Sequence, residues 1–353
     1  MPTDSPAKTG VLIAQLGTPA EPTSRAVRPY LRQFLSDMRV IDYHPLLWQP
    51  ILHGMILRTR PRRSARLYAR IWTSEGSPLL VYSQHQVAGV QARLGDQYRV
   101  VLGMRYGEPS IHDAIRGLER EVIDRIIVFP MYPQFSSTTT ASIYDAVYEA
   151  AAGKHHPLAH EHKRFIPTLR FIEPFYDDPL YIGAMRQHLN ETIAALPEPP
   201  DKYIVTFHGI PNRYIQTGDP YRVQSEQTAR LLAASMGWRD DQWQISFQSR
   251  FGPEAWLEPY TDQVLESLHG QGVERPLVFS PGFITDCLET LDELGNEGRE
   301  EFAEGGGQPE RFHLAACLND HPQWLDAMAA LIRRNAGGWV EESVAADVVA
   351  TPK

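Results

Sequence analysis

The sequence predicts an α/β protein built on parallel sheets, and three observations carry that prediction. Short apolar runs end in turns, helical patterns separate them, and the run that opens the chain is echoed past its middle. The first run, Val11 to Leu16, is closed by Gly17-Thr18-Pro19, as a buried parallel strand enters a turn. Arg99 to Leu102, Arg125 to Phe129, Tyr203 to Phe207, Gln244 to Phe247 and Pro276 to Phe279 read as further strands. Helices are expected over Ser83 to Leu94, Ser110 to Glu121, Pro179 to Leu196, Tyr221 to Met236 and Pro259 to His269.

Tyr203 to Pro211 echoes Val11 to Pro19, so each run is expected to begin a domain. Pro167, Pro174 and Pro179 punctuate the chain between Phe165 and Asp178, which places the junction there. The expected division is therefore 9–165 and 166–319, with a small, polar tail over 337–353 that frays.

Composition narrows the function. The 353 residues are enough for two domains with real cores, and 42% hydrophobic with 22% charged residues is a globular balance. Thirty-four basic against forty-three acidic side chains leave a net charge of -9, which argues against a nucleic-acid partner. Two cysteines, Cys287 and Cys317, are too few for a disulfide framework, a four-cysteine zinc site or a cysteine-ligated cluster, and fit a reducing compartment. No signal core, import pattern or membrane-spanning apolar run is evident, so a cytoplasmic location is expected. Asn190-Glu191-Thr192 reads as a chance glycosylation match. There is no G-x-G-x-x-G and no phosphate-binding P-loop, so no nucleotide is expected.

In open α/β sheets the ligand sits beyond the carboxyl ends of the strands, which directs attention to Gly17, Gln134, His208 and Gln248. His208 ends a strand and is followed by Gly209-Ile210-Pro211, which fixes an imidazole at that edge as a proton carrier or metal ligand. Asp286, Glu289, Glu293, Glu297, Glu300 and Glu304 succeed one another at steps of 3, 4, 4, 3 and 4, so on an α-helix they form one carboxylate stripe. Alone such a stripe reads as a solvated face. Starting at the sheet edge that carries His208, it reads as a path for a divalent first-row ion.

Pro133 to Ser142 is rich in hydroxyls ahead of a helix, suited to holding a carboxylate or to simple N-capping. Pro45 to Leu57 is almost wholly apolar and precedes Arg58, Arg60, Arg62, Arg63, Arg66 and Arg70. It reads as a buried helix with a basic end, ahead of a membrane-surface strip or the lip of a pocket for a lipophilic disc. His155, His156, His160 and His162 read as a surface loop.

Together these residues resemble the ferrochelatases, over roughly Thr9 to Asn335. Seven motifs carry the resemblance in order: Leu16-Gly17-Thr18-Pro19, Gly76-Ser77-Pro78-Leu79, Tyr132-Pro133-Gln134-Phe135-Ser136, Phe207-His208-Gly209-Ile210-Pro211, Phe247-Gln248-Ser249-Arg250-Phe251-Gly252, Trp256-Leu257 with Thr261-Asp262, and Asp286-Cys287-Leu288-Glu289-Thr290-Leu291. The pattern is most similar to proteobacterial protoporphyrin enzymes. The resemblance implies two similar Rossmann-like domains with a porphyrin cleft between them, and a C-terminal helix over 320–336 packing back on the first. It implies insertion of Fe2+ into protoporphyrin IX to form protohaem, releasing two protons, with His208 and Glu289 as the catalytic and metal-handling pair. Leu16, Arg105, Tyr106, Ser136 and Trp256 match porphyrin-binding or pocket positions, and Asp286, Glu293 and Glu297 an acidic path.

Iron is then a substrate, and no cofactor is required. Ser137 and a tail without cysteine imply no iron–sulfur cluster, Cys287 stands where many relatives have histidine, and Leu16 replaces the tyrosine of coproporphyrin-using relatives. Peripheral contact with the inner face of the cytoplasmic membrane is expected. The alternatives are a chelatase for coproporphyrin or cobalt, and a porphyrin or haem carrier without catalysis.

Overall fold

The computed structural model describes residues 8–153, 163–250 and 252–340; the expected histidine loop, His155 to His162, lies outside the described residues. Two parallel sheets organise the chain. The first contains β1 (Thr9–Gly17), β2 (Tyr98–Tyr106), β3 (Arg125–Pro130) and β4 (Thr168–Phe171) in the order β2-β1-β3-β4. The second contains β5 (Lys202–His208), β6 (Trp243–Gln248), β7 (Pro276–Phe279) and β8 (His313–Leu314) in the order β6-β5-β7-β8. The two orders are the same, so β1 and β5 take equivalent places.

Helices α1 (Ser24–Ser36), α2 (Pro45–Ile51), α3 (Leu57–Ile71), α4 (Pro78–Leu94), α5 (Ile111–Arg120) and α6 (Thr140–Ala152) belong to the first sheet's half. They are succeeded by α7 (Pro179–Ala195), α8 (Asn212–Gln216), α9 (Tyr221–Met236), α10 (Thr261–Leu268), α11 (Gly298–Glu304) and α12 (Pro322–Asn335). Two π-helical segments, Leu52–Ile56 and Glu289–Glu297, complete the elements that bear on the site.

Strand periodicity explains the layers. Along β1, Val11 and Ile13 point into a cluster shared with α4, α7 and α12, while Leu12 and Ala14 point to α5 and α6. In β5 the same alternation sends Ile204 toward α10 and α11, and Val205 and Phe207 toward α8 and α9. Both sheets are thus covered on two faces, which is why their inner strands read as continuous apolar runs.

The six runs read from sequence are all strands; β4 and β8 were not expected. Both are short strands at the same edge of their sheets, with half-buried residues and no apolar run to reveal them. β2 also runs on past Leu102 to Tyr106, which carries Arg105 and Tyr106 to the sheet's carboxyl edge. There Tyr106 pairs with Gly17, whose φ is +110° and whose missing Cβ would lie 1.7 Å from the Tyr106 carbonyl oxygen.

Helix α12 packs on both halves. Its fully buried Trp324 stands among Phe129, Phe175 and Tyr181, at ring separations of 6.4, 5.7 and 5.9 Å, and Arg93 of α4 pairs with Asp326. Residues 337–340, expected to fray, are instead held: Arg170 lies 4.0 Å over the Trp339 ring and donates to the Gly337 carbonyl.

Segment 45–57 also departs from the buried-helix expectation. Leu52 and Leu57 are buried, but Leu46, Leu47 and Met55 are 80%, 71% and 60% exposed, so the segment forms an outward apolar lip. Trp48 anchors it by donating its indole N–H to the Leu35 carbonyl at 2.6 Å. No helix among the described residues is long and apolar enough to cross a membrane.

Candidate active site

His208 closes β5, and its register partner Gln248 closes β6. Gln248 donates its amide to the Glu289 carbonyl at 3.1 Å, pinning the first residue of the second π-helix beside the strand end that presents His208. The imidazole Nδ1 lies 2.6 Å from the Gly209 carbonyl oxygen. A carbonyl only accepts, so Nδ1 carries the proton and Nε2 keeps a free lone pair. Burial pushes the His208 pKa down, against the opposing pull of the Glu289 charge and the Gly209 carbonyl. The ring is therefore neutral near pH 7, flanked by the rings of Trp256 at 6.5 Å and Phe283 at 6.4 Å.

Glu289 opens a π-helix, where i→i+5 bonding widens each turn and a step of four residues falls almost in line. Glu289, Glu293 and Glu297 therefore stay aligned without an α-helix. Burial pushes the Glu293 carboxyl up to about 7, even though the Ser249 hydroxyl donates to it at 2.6 Å. Ser249 holds that position with φ at +67°, a strained conformation for a residue other than glycine. Burial also raises Glu297.

The six-carboxylate stripe does not form as expected. Asp286 precedes the helix and is buried, with Thr290, the Cys317 amide and Asn319 donating to its carboxylate. Glu300 and Glu304 are exposed. Glu301, absent from the expected stripe, is drawn in beside Glu293, Glu297, Asp262 and Glu266; burial and these charges push it up to about 8. An α-helical period was the wrong ruler for a π-helix, and a step of four from Glu297 would have found Glu301. Cys287 lies between Asp286 and Glu289, and burial with the Glu289 charge pushes its thiol well up, so it stays protonated.

Arg105 and Tyr106 are part of a hub around Asp37 at the end of α1. Asp37 accepts from Arg105, from the Tyr106 hydroxyl at 2.7 Å and from Ser142 of α6. Burial pushes the Asp37 carboxyl up, but Ser142, Arg105 and Tyr106 together hold it below the usual carboxylate range. Nothing local in the sequence marks Asp37 for this role.

The hydroxyl-rich loop after β3 does hold a carboxylate, and it is the chain's own. Ser136 Oγ, Ser137 N and Ser137 Oγ donate to Asp219 at 3.0, 2.7 and 2.9 Å, which clamps the first half to the start of α9. Ser136 is fully buried by this clamp. Leu16, at the end of β1, packs with Leu288, Leu291 and the lip cluster of Tyr30, Leu52 and Tyr68. Through Leu288 and Glu289 the π-helix start links the carboxyl end of β1, at Leu16 in the lip cluster, to that of β5, where His208 stands beside Trp256.

Two parallel four-stranded sheets of the same strand order, each covered by helices on both faces, define an α/β protein of two Rossmann-like halves. The fold is similar to that of the chelatase SirB from Bacillus subtilis, solved with Fe3+, at a TM-score of 0.55 and 12% identity over 94% of this chain and 96% of that one. The ferrochelatase family model matches residues 8–336. The chain is 46% identical to the ferrochelatase of Azoarcus sp. (strain BH72) over 95% of its length and 90% of that protein. It is 43% identical to that of Rhizobium meliloti (strain 1021), over 94% and 96%. The chain belongs to the ferrochelatase family: it is a lyase that inserts iron into a porphyrin in haem synthesis.

Proposed function

We propose that the porphyrin is protoporphyrin IX, that the metal is Fe2+, and that His208 takes the pyrrole protons while Glu289 handles iron on the opposite side. Insertion replaces two pyrrole N–H protons with one Fe2+, so a base must stand at the ring face while hydrated iron exchanges water for nitrogen. The neutral His208 ring carries the proposal, because its Nδ1–H is spent on Gly209 and its Nε2 lone pair is free to accept a proton. Glu289 heads the line of Glu293 and Glu297; the Glu293 carboxyl, pushed up to about 7, suits proton exchange near neutral pH, and burial shifts Glu297 in the same direction. A cleft complementary to a puckered ring, with lone pairs exposed, stabilises the transition state over the flat product.

Leu16 supports protoporphyrin IX, since it extends an apolar wall suited to vinyl groups and offers nothing to extra propionates. The exposed Leu46, Leu47 and Met55 beside Arg58, Arg62, Arg63 and Arg66 support peripheral contact with an anionic membrane from the cytoplasmic side.

Anaerobic Fe2+ uptake, followed by loss of protoporphyrin fluorescence, tests the reading. His208→Ala is expected to lower turnover about 10²- to 10⁴-fold with porphyrin binding retained. Unchanged turnover would remove His208 from the chemistry, and binding without turnover in the wild type would make the protein a carrier.

A further inference from the structure

A second site lies behind the π-helix. Gly295 and Arg299 are offset by two residues from Glu293 and Glu297, so they occupy the opposite side of the helix, while Leu291 borders both the lip cluster and this side. There a cavity of about 330 Å3 opens toward α7, β7 and β8. Its walls are mixed, apolar at Leu277, Leu291 and Phe312 and polar at Asn296, Arg299 and His313. Among the described residues no carboxylate pairs with Arg299, whose guanidinium lies 5.8 Å over the Phe312 ring, and the His313 imidazole makes no hydrogen bond. Burial and the neighbouring Arg299 push the His313 pKa down, so the imidazole does not add a second charge near neutral pH.

A cavity of mixed lining, with apolar side chains on part of its wall and the Arg299 guanidinium unpaired by any described carboxylate, complements an anion with a short apolar tail. We propose that this cavity binds a small amphipathic carboxylate, its alkyl chain against Leu277, Leu291 and Phe312 and its carboxylate on Arg299. The site is separate from the porphyrin chemistry and does not rest on the roles of His208 and Glu289. It is tied to the lip, however: Asn296 on its wall donates to Asp292 at 2.8 Å, and Asp292 accepts from Arg70 of α3 at 3.1 Å.

Fluorine NMR of a hexanoate bearing a terminal trifluoromethyl group tests the proposal on the full chain. Binding by the wild type is expected to weaken at least about tenfold in Arg299→Gln, the loss of one charge-assisted hydrogen bond. The matching alcohol should bind as weakly, and Thr192→Phe, which fills the rim, should abolish binding. Thermal unfolding identifies any variant that fails to fold, and either remaining variant then decides. Binding that is equal in wild type and variants, absent at millimolar probe, or displaced by protoporphyrin would overturn the proposal.

Discussion

Leu16 and His208 hold the same place in two sheets of the same strand order, each at the end of the second strand in its sheet and each preceding a glycine. Their surroundings differ. Between β1 and β2 the chain inserts α1, α2, a π-turn, α3 and α4, and this lip packs over Leu16. Between β5 and β6 only α8 and α9 intervene, which leaves His208 open to the segment after β7. After β3 that place is taken by the regular helix α6, with Ser142 in its first turn; after β7 it is taken by the π-helix that begins with Glu289. On the proposed roles, one half thus supplies a wall and the other a base and an iron-handling carboxylate, so reactivity would depend on the connections and not on the sheet.

The largest test of this contrast exchanges the two side chains. Leu16→His combined with His208→Leu is expected to retain less than about one hundredth of the iron-insertion rate, because position 16 lacks the Gly209 carbonyl that sets the tautomer. Turnover above a tenth of wild type would mean that the two corners are chemically interchangeable.

The glycines next to these two residues sharpen the comparison. Gly17→Ala meets the Tyr106 carbonyl at 1.7 Å with φ at +110°, whereas Gly209→Ala meets the Gln248 carbonyl at 2.9 Å and the Trp256 ring at 3.3 Å. Urea titration should show losses of more than about 3 kcal/mol for the first and about 1–2 kcal/mol for the second. Equal losses would place the same strain on both corners.

Glu293 separates stability from chemistry. Its folded pKa of about 7 is raised above the unfolded value, so the protonated form favours the native state and stability falls as pH rises from the unfolded pKa through 7. Glu293→Gln, which can still accept from Ser249, should therefore be more stable than wild type at pH 8 by on the order of 1–3 kcal/mol, with little difference at pH 4. The same variant should insert iron more slowly. A variant destabilised at pH 8 would show that the charge is compensated.

The smallest effect belongs to the lip. Leu47→Ser with Met55→Ser should reduce partition into anionic vesicles severalfold, about 1 kcal/mol or more of lost apolar burial, while leaving unfolding unchanged because both side chains already face outward. Undiminished partition would move any membrane contact elsewhere.

The sequence was most legible where burial imposed a pattern. β1, β3, β5 and β7 are apolar because helices cover both faces, and the Gly-x-Pro turns after β1 and β5 announced the paired ends. It was least legible where a few hydrogen bonds decide. β4 and β8 bury too little to show a run, the π-helix has no period of its own among i and i+4 spacings, and Asp219 reaches Ser136 across 83 residues. His208 could be marked because it ends a strand, and Glu289 because it follows a strand and a Pro-Gly turn; Ser249 could not, since a serine in a left-handed turn looks like any loop serine.

Helix α12 carries a consequence for how the chain is made. Phe129, Phe175 and Tyr181 close around Trp324, a residue synthesised some two hundred positions after Phe129. While the ribosome is still producing the second sheet, the first half has nothing to cover that aromatic patch. Until α12 emerges those rings lack Trp324, so truncation before Trp324 is expected to be a folding defect of the first half as much as of the last.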